Sequence, residues 1–188
     1  MGRIEDLAIS YQSHIELPWQ RNLAGAQRTI FVVYPKGDER RLRAKLELFE
    51  MATLHGDEHK WKVFDFTPVF ARWMSKMEYR EGYFEEPKNL SMKLRSDFVH
   101  FAAGELRKVL TLEDVDEDTA VAVYGVASLY GFTRVSMVLK EVEKNIRGRL
   151  ILFFPGDYDN NNYRLLDARD GWNYLAVPIT LHNGGNRL

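Results

Sequence analysis

Residues 148–179, GRLILFFPGDYDNNNYRLLDARDGWNYLAVPI, decide how this chain folds. Two apolar runs, Leu150–Phe154 and Tyr174–Ile179, flank a stretch dense in Asp, Asn, Arg and Tyr. Apolar runs of that length read as strands buried on both faces, which is how a parallel sheet covered by helices looks in sequence. A polar loop leaving the carboxyl end of such a strand is where open α/β sheets bind ligands. That reading locates a surface without naming a reaction.

Working outward, strand and helix alternate. Ile4, Leu7, Ala8, Tyr11 and Ile15 share one helical face, which ends before Pro18. Thr29–Tyr34 is β-branched and aromatic and stops at Pro35: a first strand. Asp38 then caps a helix carrying Leu42, Leu46, Phe49 and Ala52 inward to about Gly56. Trp61–Phe66 reads as a second strand, and Thr67-Pro68 opens a helix with Phe70, Trp73, Met74 and Met77 in a stripe. A long helix is expected from Pro87 to about Leu110, then an acidic loop, Glu113–Asp118, and a third strand, Ala120–Tyr124. The helix Phe132–Ile146 has the cleanest period, with Val135, Val138, Leu139, Val142 and Ile146 on one face. The expected fold is a single α/β domain with a mostly parallel five-stranded sheet and helices on both faces. Residues 1–28 form an N-terminal helix and loop, 29–180 the sheet core and 181–188 a tail. Strand order stays open, as does the direction of the fifth strand, because no clear helix lies between it and the fourth.

Composition narrows the function classes. A chain of 188 residues, 45% hydrophobic and 28% charged, has a full-sized core and needs no disulfide or metal to be stable. Without cysteine, thiolate catalysis and Cys-type zinc sites are excluded. A net charge of −1 gives no electrostatic case for bulk nucleic-acid binding. The N-terminus lacks the apolar core of a signal peptide, Asp6 stands where a myristoylation signal wants Ser or Thr, and no apolar segment approaches bilayer length. These features point to a cytoplasmic protein without membrane contact.

Four constellations could carry chemistry. Gly125–Thr133, GVASLYGFT, leaves a buried strand and opens a helix, the setting of a phosphate-binding loop. Five residues separate its glycines where the P-loop has four, and Phe132 stands in place of the Lys, so ATP hydrolysis is not expected there. An anion could still be held by Gly125, Ser128, Gly131, Thr133 and Arg134; the plainer reading is a tight turn. His55–His59, HGDEH, matches H-x-x-E-H, but its Gly and Asp sit where a helix is ending, so zinc is not expected. Asp157, Asp159 and Asn161 fall at the first, third and fifth positions of a calcium loop. Position six is Asn162 and position twelve Ala168, which removes the turn glycine and the bidentate carboxylate. Finally, Arg40, Arg41, Arg43 and Lys45 crowd one helix start and read as a solvated helix face, whereas Arg164, Asp167, Arg169 and Asp170 alternate in sign, which suits pairing with another protein. His14, His100 and His182 stand without motif context. No complete catalytic set emerges, and no cofactor or metal is expected.

Four segments together resemble the BrxB-like family of the bacteriophage-exclusion (BREX) defence systems: Asp38–Leu42 (DERRL), Tyr79–Pro87 (YREGYFEEP), Val123–Val135 (VYGVASLYGFTRV) and Arg147–Ile179. The likeness implies a bacterial or archaeal cytoplasmic protein encoded with an adenine-specific DNA methyltransferase, an alkaline-phosphatase-superfamily protein (PglZ) and a large AAA-type ATPase. It also implies an assembly role without catalysis. The leading expectation is therefore a non-catalytic interaction module of a phage-defence complex, with the PglZ-type protein as first partner. Asp157, Asp159, Asn161, Tyr163, Arg164, Asp167 and Arg169 would be presented to it from loops. The competing structural reading is that this segment pins the last two strands together. The rival function is a nucleotide-like ligand at Gly125–Arg134, and the aromatics of Tyr79–Phe84 leave room for a homodimer contact.

Overall fold

A computed structural model describes residues 2–56, 58–169 and 171–181. Asp57 of HGDEH, Asp170, His182 and the remainder of the expected tail lie outside the described residues. Seven strands form the sheet: β1 (Thr29–Tyr34), β2 (Lys60–Asp65), β3 (Thr119–Tyr124), β4 (Arg149–Asp159), β5 (Asn162–Leu165), β6 (Trp172–Asn173) and β7 (Val177–Ile179). The order β2-β3-β4-β1-β7 is parallel throughout, and β5 and β6 add antiparallel strands beyond β4.

The expectation of a mostly parallel five-stranded sheet is thus corrected to a mixed seven-stranded one. The cause lies in two places. β4 does not end at Phe154 but passes through Pro155 and Gly156 to Asp159, and Asn160 and Asn161 then reverse the chain with φ of 48° and 63°. Two successive left-handed residues make the hairpin turn whose twist matches its strands, and Asn tolerates that conformation. The run Tyr174–Ile179 is also no single strand. Trp172–Asn173 pairs with β5, residues 174–176 belong to no strand, and only Val177–Ile179 joins β1, in parallel.

Helices cover both faces of the sheet. α1 (Arg3–Ile15), α2 (Glu39–Arg43) and α3 (Leu46–Leu54) pack Ile4, Leu7, Tyr11, Leu42 and Phe49 against Ile30, Val32, Ile151 and Phe153. On the other face α4 (Val69–Ser75), α7 (Asp97–Leu110) and α8 (Val135–Val142) bury Trp73, Phe98, Leu106 and Val138 against Phe31, Val33, Val121, Leu152 and Phe154. Adjacent strand residues face opposite cores, as the period of two requires. At the exposed edge strand β2, Lys60 and Lys62 reach Asp116 and Asp114, both at 2.5 Å. Edge lysines of this kind oppose strand addition.

The long helix expected over residues 87–110 is broken. A 3₁₀ turn (Pro87–Leu90) and α6 (Ser91–Arg95) precede α7, with Ser96 between them, and α5 (Arg80–Glu85) comes before. Asp38 makes no side-chain cap; it is buried and takes Arg3 at 2.9 Å and Arg41 at 3.0 Å, tying α1 to the loop after β1. α3 ends at Leu54, before His55, and His59 stacks on Trp19 at 3.8 Å.

Candidate functional site

The carboxyl ends of the parallel strands gather most of the residues singled out by sequence. The hairpin β4–β5 rises there, with Asp157, Asp159, Asn161, Arg164 and Arg169 exposed. Asp157 stands directly across from Arg164, yet no ion pair joins them among the described residues, so both charges face outward. Asp167 reaches Lys36, beside the end of β1. Asp157, Asp159 and Asn161 lie along one arm and the turn of a hairpin rather than around a cation-binding loop.

Tyr163 requires a correction. It is fully buried rather than presented to a partner: β5 alternates, with Asn162 and Arg164 out and Tyr163 and Leu165 in. Its ring lies 4.5 Å from that of Phe31 and 5.6 Å from Trp172, and its hydroxyl donates to the Ala176 carbonyl at 3.2 Å. Burial pushes the Tyr163 hydroxyl well above the ordinary phenol range, so it stays a proton donor. Together with Phe154 and Tyr174 these rings fasten the hairpin to the sheet face. The inward residues therefore pin the hairpin to the sheet, while Asp157, Asp159, Asn161, Arg164 and Arg169 are exposed to solvent.

The expected anion loop is divided. Gly125 is buried at φ 74°, and a Cβ there would overlap Asp65 and Thr67, so its glycine serves packing. Ser128 sits in a 3₁₀ turn (Val126–Leu129), its amide donating to the Gly125 carbonyl at 3.0 Å. Phe132 stays outside α8 and stacks on Phe70 at 3.9 Å. Only Gly131, Thr133 and Arg134 come together, and with residues of other elements. One hollow of about 470 Å³ places them beside Arg95; an adjoining one of about 240 Å³ places them beside Arg169 and Trp172. The Thr133 hydroxyl is shielded from solvent without a partner. Among the described residues no carboxylate pairs with Arg95, Arg134 or Arg169, and none lines either hollow. Sequence reasoning missed Arg95, because its contribution arises from packing between α6 and the segment before α8.

A second polar cluster, also missed, joins the ends of β1, β2 and β3. Tyr34 donates to Glu39 at 2.5 Å, and Arg43 donates to Glu39 at 2.7 Å and to Thr67 at 3.0 Å. The Arg43 guanidinium also lies 5.0 Å from the Tyr124 ring centre. Burial, and then Glu39, push the Tyr34 hydroxyl far above its ordinary range. Its groups satisfy one another, so the cluster is a clamp. It takes Arg43 from the basic group at the start of α2, and separate pairs engage two more of that group, Arg41 with Asp38 and Lys45 with Glu5.

Against this geometry, comparison with known proteins gives one match. Residues 68–179, more than half of the chain, match the family described as BREX protein BrxB. No curated protein and no solved structure matches the chain. The matched span runs from the residue before α4 to the end of β7. It takes in the hairpin, both arginine-lined hollows and three of the four segments that carry the resemblance, leaving Asp38–Leu42 outside. The family description names no reaction, and no helix among the described residues is long and apolar enough to cross a membrane. On the strength of that span, the chain belongs to the BrxB family of BREX proteins.

Proposed function

We propose that the chain is a non-catalytic assembly component of a BREX-type phage-defence complex, acting in the cytoplasm as a single α/β domain. It positions partner proteins, the alkaline-phosphatase-superfamily component first and the DNA methyltransferase second. The observation that carries this reading is the hairpin. Its inner face is locked by an aromatic cluster, while its outer face displays Asp157, Asp159, Asn161 and Arg164, with Arg169 exposed in the segment that follows. With Asp167, these form a mixed-sign surface on a rigid base, which favours specific pairing over non-specific anion tracking. The test is co-purification of the chain with each BREX component separately, sized by light scattering. A stable one-to-one complex supports the reading; no complex with any component removes it.

The arginine-lined hollows favour a second reading, a phosphate-containing ligand held by Gly131, Thr133 and Arg134 with Arg95 or Arg169. Uncompensated guanidinium groups beside a shielded hydroxyl are suited to a bidentate anion. A thermal-shift series with nucleotides tests it, because a ligand bound only by the folded chain raises the melting temperature by mass action.

A further inference from the structure

At the opposite, amino-terminal edge of the sheet lies a pocket of about 470 Å³, bounded by the last turn of α1, the loop after it and the first residues of β1, β4 and β7. Ile15, Leu23, Ile30 and Val177 give it an apolar wall, and its lining includes no carboxylate. Arg149 enters from β4. Its guanidinium donates to the carbonyls of Gly148 at 3.1 Å and Gln20 at 3.3 Å and lies 5.0 Å from the Trp19 ring centre. No acidic group among the described residues pairs with it.

Its neighbourhood adds positive charge rather than removing it. Among the described residues Arg28 donates only to the carbonyls of Ile146, Arg147 and Arg21, at 2.9, 2.7 and 2.6 Å, and its Nε is shielded without an acceptor. Burial, and then the charge of Arg28, lower the pKa of Arg149, and His14 across the pocket is held toward its neutral form. A half-buried cation without a counter-ion is costly, and an anion with two coplanar oxygens matches its fork.

We propose that this pocket binds a small apolar carboxylate, its head on Arg149 and its hydrocarbon body against Ile15, Leu23, Ile30 and Val177. A phosphate is disfavoured because, among the described residues, Arg149 is the only permanent cation on the lining and the remaining wall is mostly apolar. The site lies at the other end of the strands from the hairpin and owes nothing to it.

The test uses the full chain and 3-phenylpropionate, its primary amide and inorganic phosphate. Calorimetry should give saturable binding of the acid, with the amide at least about tenfold weaker, as loss of a charge-assisted hydrogen-bond pair implies. Phosphate should not compete. The His14 imidazole resonance, assigned by its disappearance in His14→Gln, should move with the acid alone. Arg149→Met should abolish binding in a folded chain. Absence of saturation up to about 10 mM, equal binding of acid and amide, displacement by phosphate, or unchanged binding in folded Arg149→Met would each overturn the proposal. Should Arg149→Met fail to fold, the acid–amide comparison and the His14 resonance decide.

Discussion

A Cβ on Gly156 would overlap the carbonyl oxygen of Arg164, so the two arms of the hairpin meet backbone to backbone where β4 leaves the parallel sheet. Pro155 is the last β4 residue paired with β1, and Gly156 is the first paired with β5. Gly156→Ala should therefore cost about 1–3 kcal/mol, the usual range for overpacking. Thermal unfolding checks this, and an unshifted melting temperature would show that the arms can separate freely.

Tyr163 anchors the hairpin from within. Tyr163→Ala should destabilise the chain by about 3–5 kcal/mol through the cavity it leaves. Tyr163→Phe should cost only about 1 kcal/mol, since the ring contacts stay and a single hydrogen bond to Ala176 is lost. Urea denaturation of the two variants separates ring from hydroxyl; equal losses would contradict the aromatic anchoring.

The outward charges should behave differently. Arg164→Glu and Asp167→Arg are expected to weaken partner binding while moving stability by no more than about 0.5–1 kcal/mol, because exposed pairs such as Asp167–Lys36 contribute little. Pull-down and melting curves on the same preparations give both quantities. Variants that simply unfold would make these residues structural.

The acid limb of stability should carry a signature of His14. Burial, and then Arg149, hold its imidazole below the ordinary value, so folding favours the neutral form. Its contribution is complete above the unfolded value of about 6.5 and is lost as pH falls through that value toward the folded one. Asp116, held down to about 2 by Lys60 and then Thr119, loses its contribution only between 3.8 and about 2. Melting temperature against pH should thus fall in two separated steps, and His14→Gln should remove the upper one alone.

Much of the scaffold was legible because its signals are local. The unbroken TIFVVY run, the stripe of α8 and the apolar face of α1 each declare their element within a single strand or helix. The hairpin was hidden by its own punctuation. Pro155 and Gly156 read as the end of a strand, and three consecutive asparagines read as a loop, although Asn162–Leu165 already alternates outward and inward. Read as part of a loop, Tyr163 falls on the surface; read as part of β5, it faces inward. Arg95 and Arg149 left no sequence signal, since each becomes part of a hollow only through elements distant in the chain. The break at Ser96 was equally silent, because Leu90, Leu94, Phe98, Phe101 and Ala102 keep one apolar stripe running across it.

One consequence of the uninterrupted strand β4 concerns mechanics. Eleven residues run from the amino-terminal edge of the sheet through its buried centre to the hairpin tip, a span of about 35 Å at ordinary strand rise, with neighbours on both sides over the buried part. The projection is thus a cantilever clamped at its root, not a flap on a joint. A partner docking at the tip meets a shape already set, so little ordering entropy is lost on contact. Any push there is delivered straight into the centre of the sheet.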